Sequence, residues 1–121
     1  MNKITSFTDL SAWKEGHKLV LLVYCVVKDF PKEEKFGLSS QITRAVVSIT
    51  SNIAEGFARW SKKEKRQFYY MAKGSLVEVE NQLLIARDIN YIDAKTFKKI
   101  ANQAVVVDKL ISGLIKSVGN M

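Results

Sequence analysis

Apolar residues recur at three- and four-residue steps along four stretches of the chain, with short polar breaks between them. The first stretch runs from about Asp9 to Phe30, with Thr8 or Asp9 as its expected cap and Pro31 as its stop. Its stripe is Leu10, Trp13, His17, Val20, Tyr24 and Val27, which puts Leu22 on the opposite face. The second runs from about Leu38 to Arg59 on Ile42, Ala45, Val46, Ile49, Ile53 and Phe57. Ser61-Lys62-Lys63-Glu64 has the form of a capping box and marks the start of a third helix. That helix carries Phe68, Ala72, Ser75, Val79, Leu83 and Ala86 and ends near Ile89. Asn90-Tyr91 suits a tight turn, and Asp93 caps a fourth helix built on Phe97, Ile100, Ala104, Val107, Ile111, Leu114 and Val118.

Each segment is about 20 to 28 residues, hence roughly 30 to 42 Å as a helix. Matched lengths and short connections predict an all-α fold, an antiparallel up-down-up-down four-helix bundle, with residues 1–121 as one domain. Two segments are more apolar than such a bundle needs. Leu19 to Val27 is apolar all round, and Ala104 to Val107 with Leu110-Ile111 is nearly so. A helix that is apolar on more than one face has to cover more than one face, so self-association is expected.

Composition narrows the class. With 121 residues, 47% of them hydrophobic, the chain holds one real core, and one proline and six glycines are too few turn formers for a β-sandwich. Cys25 is the only cysteine, which excludes an intrachain disulfide; its apolar neighbours suggest a buried thiol. The longest apolar run is too short to span a bilayer, and the first residues lack the apolar core of a signal peptide, so a cytoplasmic protein is expected, with no membrane partner.

Catalytic constellations are missing from the sequence. His17 is the sole histidine, one turn after Trp13, and reads as a partly buried imidazole. Neither a zinc site nor a Ser-His-Asp or Cys-His arrangement can be completed around it. Gly74-Ser75 lies within a helix and lacks the surroundings of a phosphate-binding loop. Glu55, Glu78 and Glu80 leave a carboxylate-only metal site conceivable, but no metal, cofactor or enzymatic activity is expected.

Charge is more informative. Nineteen lysines and arginines against twelve acids give a net charge of +7, which attracts polyanions. Arg59, Lys62, Lys63, Lys65 and Arg66 fall within eight residues, near Trp60, Phe68, Tyr69 and Tyr70, and Lys73 extends the cluster. Bases that track phosphate beside rings that stack on nucleobases fit single-stranded nucleic acid. The alternative is a solvated helix start, although cations at a helix N-terminus oppose the macrodipole. A second constellation, Arg44, Ser48, Asn52, Glu55 and Arg59, forms a polar stripe on the second helix. It reads either as an edge that fixes helix register or a subunit contact, or as a ligand contact.

The run Phe36-Gly37-Leu38-Ser39-Ser40-Gln41-Ile42-Thr43-Arg44-Ala45-Val46-Val47-Ser48-Ile49 is specific, as are Ser51-Asn52-Ile53-Ala54-Glu55-Gly56, Phe30-Pro31 before it and Gly74-Ser75-Leu76-Val77-Glu78 after it. With them the chain resembles the four-helix bundle proteins encoded in intervening sequences of bacterial 23S ribosomal RNA genes, the S23 ribosomal protein family. Accessory variability proteins of diversity-generating retroelements are similar. The resemblance implies a ring-shaped homopentamer and, from the retroelement branch, a basic surface that binds RNA and a reverse transcriptase. It carries over no catalytic residue. The function expected is a basic oligomeric module binding RNA or other nucleic acid; the alternative is a protein–protein scaffold with an acidic partner.

Overall fold

The computed structural model describes residues 3–119, and among these the regular structure is helical throughout, without strands. Four helices follow in order: α1 (Ser11–Val27), α2 (Leu38–Ala58), α3 (Lys62–Asp88) and α4 (Ala94–Val118). Each packs on its sequence neighbours, α4 closes against α1, and the diagonal pairs have no close backbone approach. This is the up-down-up-down bundle that the periodicity predicts. Its core is one layer of aliphatic side chains, with Leu19, Ile42, Ile49, Ile53, Leu76, Leu83, Ile100 and Ile111 fully buried.

The helix boundaries are set by identifiable side chains. Ser61 Oγ accepts the Glu64 N–H (3.1 Å) and Asp93 Oδ1 accepts the Thr96 N–H (2.7 Å), so both caps form, although the capping box at Ser61 is only half made, with no return bond from the Ser61 N–H to the Glu64 side chain among the described residues. Asn90 takes a positive φ of 66°, which lets the Tyr91 N–H reach back to the Ala86 carbonyl (2.8 Å) and turn the chain. Glu34 does two things at that end of the bundle. One carboxylate oxygen accepts the Leu38 N–H (3.0 Å) at the start of α2, and the other accepts the Tyr91 hydroxyl (2.7 Å) from the α3–α4 turn.

The first helix departs from expectation. A 3-10 turn at Phe7–Asp9 precedes it, and Asp9 caps that turn instead of α1, accepting N–H groups from Thr5 (3.0 Å) and Ser6 (3.1 Å). The N-cap of α1 is Leu10, with no side-chain hydrogen bond. The buried stripe is Ala12, Gly16, Leu19 and Val23, one position away from the expected one. Trp13 and Val20 are half-buried, and Tyr24 is exposed. The reason is close packing. A Cβ on Gly16 would sit 3.1 Å from Thr50 Cγ2, so Gly16 faces α2 and lets the backbones approach, with the small, buried Ala12 one turn before it. The bulky residues are displaced outward.

Three expectations fall with that rotation. His17 is exposed and stacks on Trp13 (4.8 Å between centroids, 13° between planes) instead of being partly buried. Cys25 is exposed, not buried. Leu22 packs against the core, and the outward positions are Leu21 and Tyr24. At the end of α4, Ile115 is buried where Leu114 was expected, and Leu114 is half-buried.

Candidate nucleic-acid interface

The bundle brings the start of α3, the end of α2, the end of α4 and the start of α1 to one end. Six cations singled out in the sequence lie on α3 or just before it, but they do not act as one free cluster. Lys65 Nζ donates to the Phe57 (2.7 Å) and Gly56 (3.3 Å) carbonyls and so caps the end of α2. Arg66 donates to the Gly119 carbonyl just past α4, and its guanidinium lies over the Tyr70 ring (5.6 Å). Arg59 pairs with Glu55 (2.8 Å) and lies over Phe68 (4.7 Å). Lys73 turns to α4, where it meets Ser112 Oγ (2.6 Å) and Asp108 (3.3 Å). Beside that pair, burial pushes the Glu80 carboxyl up from its ordinary value, and the Asp108 charge adds to the rise. Lys73 therefore belongs to the α3–α4 seam.

Lys62 and Lys63 are different. Both are exposed, and neither has a hydrogen bond or ion pair among the described residues. Beside them Trp60 is 97% exposed, the largest uncovered ring among the described residues. Tyr70 is half-exposed and lines a shallow depression with Lys63, Arg66 and Gln67. Tyr69 by contrast is buried against Gly56, and Phe68 is half-buried, so two of the four aromatic residues near the cluster serve the fold. Sequence reasoning passed over Lys116. It is exposed in the last turn of α4 and reaches the same end only because α4 runs antiparallel to α3.

The polar stripe on α2 divides as well. Asn52 Nδ2 donates to the Ser48 carbonyl (2.9 Å) and Ser48 Oγ (3.0 Å), and Ser75 Oγ donates across the seam to Ser48 Oγ (2.9 Å). Only the Ser75–Ser48 bond joins α3 to α2; the Asn52 bonds stay within α2. Arg44 is exposed and stands apart from them. Glu55, Glu78 and Glu80 do not converge: among the described residues no three His, Cys, Asp or Glu side chains lie close enough to share a metal ion. No helix of the described residues is long and apolar enough to cross a membrane.

A family model for 23S rRNA-intervening sequence proteins matches residues 8–113. The chain belongs to that family. The match reaches into all four helices, and three of the residues on which the sequence resemblance rests lie at the α2–α3 seam: Ala45 is buried, Gly56 sits against Tyr69, and Ser75 bonds to Ser48. A solved structure from Bacteroides thetaiotaomicron VPI-5482, described as a protein with unknown function from the S23 ribosomal protein family, has the same fold. It superposes with a TM-score of 0.80 at 23% identity, covering 87% of this chain and 98% of that one. No curated protein matches the chain.

Proposed function

We propose that this member of the 23S rRNA-intervening sequence protein family is a non-catalytic, oligomeric binder of RNA. Contact is made through the end of the bundle that carries Trp60, Lys62, Lys63, Arg66, Tyr70 and Lys116. The observation that carries the reading is the pairing of a ring left 97% exposed with two lysines that hold nothing inside the chain. An exposed tryptophan has no folding role, whereas a base stacked on it contributes about 1–3 kcal/mol. The net charge of +7 supplies the long-range attraction.

Self-association multiplies that effect, because symmetry repeats each weak phosphate contact along one strand. Leu21, Tyr24, Val77, Leu84, Ile85, Val105 and Val106 are exposed apolar positions that a second copy would cover. We take the assembly to be the pentamer that the family resemblance implies. The RNA setting we infer is ribosomal, with service beside a reverse transcriptase as the alternative.

Binding of a labelled single-stranded RNA, followed by fluorescence anisotropy against salt, tests the reading. Log affinity should fall with log salt by about 0.7 per phosphate contact. Trp60→Ala should weaken binding about 5-fold or more with an unchanged salt slope. Lys62→Glu with Lys63→Glu should lower both affinity and slope. Wild-type binding by both variants would remove this surface. Equal binding of heparin and RNA, with far tighter capture of an acidic protein, would favour the scaffold.

A further inference from the structure

Away from the basic end, the seam between α2 and α3 leaves polar groups that nothing inside the chain satisfies. The helices are antiparallel, and the Ser48–Ser75 bond (2.9 Å) sets their register. One turn along lie Arg44 and Glu78, and one turn further lie Gln41 and Gln82. All six line one groove of about 320 Å³ whose floor is Ala45. Only the serine pair is closed by a hydrogen bond across the seam. Arg44 and Glu78 are exposed, and neither has a hydrogen bond or ion pair among the described residues. Gln82 is only 7% exposed, yet its amide oxygen is buried without a partner. Native proteins seldom leave such an acceptor empty, so this one calls for a donor.

We propose that this groove binds an unpaired guanine base. The groove offers two acceptor oxygens on Glu78 and one planar donor fork on Arg44; the Gln82 amide oxygen lies covered and meets a ligand only when that side chain turns outward. Guanine is the base that presents two adjacent donors, N1–H and the N2 amine, to a carboxylate. Its O6 and N7 form the acceptor pair that arginine engages with two parallel bonds. Adenine sets a lone pair at N1 where guanine has a proton, so its edge repels the carboxylate. Cytosine and uracil lack the paired donors. The volume stands near the lower end of the ligand-site range of about 300–1,000 Å³, which suits a single base. The groove contains no aromatic wall, so recognition there is by edge, in contrast to the stacking at Trp60. Splayed bases read on their Watson–Crick and Hoogsteen edges are the usual targets in single-stranded RNA. The inference rests on the RNA-binding reading for its biological setting, but its test does not.

The experiment titrates the full-length protein with GMP, IMP, AMP, CMP and UMP, following amide shifts by NMR. All five carry the same phosphate, so contacts to lysine cancel. GMP should bind at least about tenfold more tightly than AMP. IMP, which lacks the N2 amine, should fall between them. Glu78→Gln removes one acceptor while keeping the shape, and should erase the preference for GMP. Lys62→Glu with Lys63→Glu should leave that preference intact. Equal shifts with all five nucleotides would overturn the proposal, as would a GMP preference that survives Glu78→Gln. So would a lack of preference combined with a lower assembly mass in Arg44→Lys or Glu78→Gln, which would make the groove a contact between copies. If RNA binding at the Trp60 end fails while the GMP preference holds, the groove stands and the first surface falls.

Discussion

Replacing Gly56 with alanine places a methyl carbon 2.6 Å from Cε1 and 2.9 Å from Cδ1 of Tyr69, and 3.1 Å from Phe68 Cβ. Tyr69 is 3% exposed, so its ring cannot swing aside into solvent. The added carbon must push α2 away from α3 or force the ring off its rotamer, which costs about 1–3 kcal/mol in a packed interior. Alanine recovers up to about 1 kcal/mol through helix propensity. The net should be a loss of roughly 1–2 kcal/mol, or several degrees in unfolding temperature for a domain of this size. Gly74 and Gly113 provide the control, since a Cβ at either meets nothing within 4 Å. Alanine there should stabilise the helix by about 0.5–1 kcal/mol. Urea melts read by far-UV circular dichroism, at two protein concentrations to separate folding from assembly, measure all three. A Gly56→Ala midpoint at or above wild type would refute the packing argument. So would three midpoints shifting in the same direction. A loss at Gly74 that disappears at high dilution would instead mark that face as a contact between copies.

Other outcomes follow from the same structure. Ile49→Ala and Val79→Ala, both fully buried, should each cost about 1–4 kcal/mol, and an unchanged midpoint in both would show that the core is misplaced. Leu21→Glu should break the assembly while the helical spectrum persists, whereas Leu22→Glu should destabilise the fold itself. Light scattering on a 13.7 kDa chain distinguishes the assembled from the dissociated state. The Glu34 carboxylate accepts the Leu38 N–H and the Tyr91 hydroxyl, which hold its pKa below the ordinary 4.5. A depressed pKa contributes stability that is complete above the ordinary value and is lost as pH falls through the folded one. Glu34→Gln should therefore flatten the acid limb of the stability curve below 4.5, and an unchanged limb would refute that role.

The fold was legible where polar residues bound the apolar stripe. On α2 and α3 each stripe is flanked by serine, glutamate or lysine, and most of the expected core positions on α2, α3 and α4 are buried, with Phe57, Phe68, Phe97, Leu114 and Val118 half-buried. On α1 the run from Leu19 to Val27 is apolar on every side, so periodicity alone could not choose a face. Glycine and alanine decided it, because helix approach depends on what is small as much as on what is apolar. The basic cluster was legible as charge, but its partners were not. Lys65 and Arg66 find acceptors eight or more residues away in sequence, at the ends of other helices. Changing four cations of the cluster together would disturb those helix ends as well as any RNA contact. The groove between α2 and α3 was visible only as half a stripe, since Glu78 and Gln82 lie on the other helix.

That division of the cations has an evolutionary consequence. Lys65 and Arg66 close the ends of α2 and α4, so substitutions there are filtered by folding before any effect on a ligand is seen. Lys62, Lys63 and Trp60 hold nothing in place and are free to drift. Lineages meeting different nucleic acids could retune affinity and preference at these three positions while keeping the same bundle. Divergence among family members should then concentrate at the junction of α2 and α3, with the two carbonyl-binding cations beside it held nearly fixed.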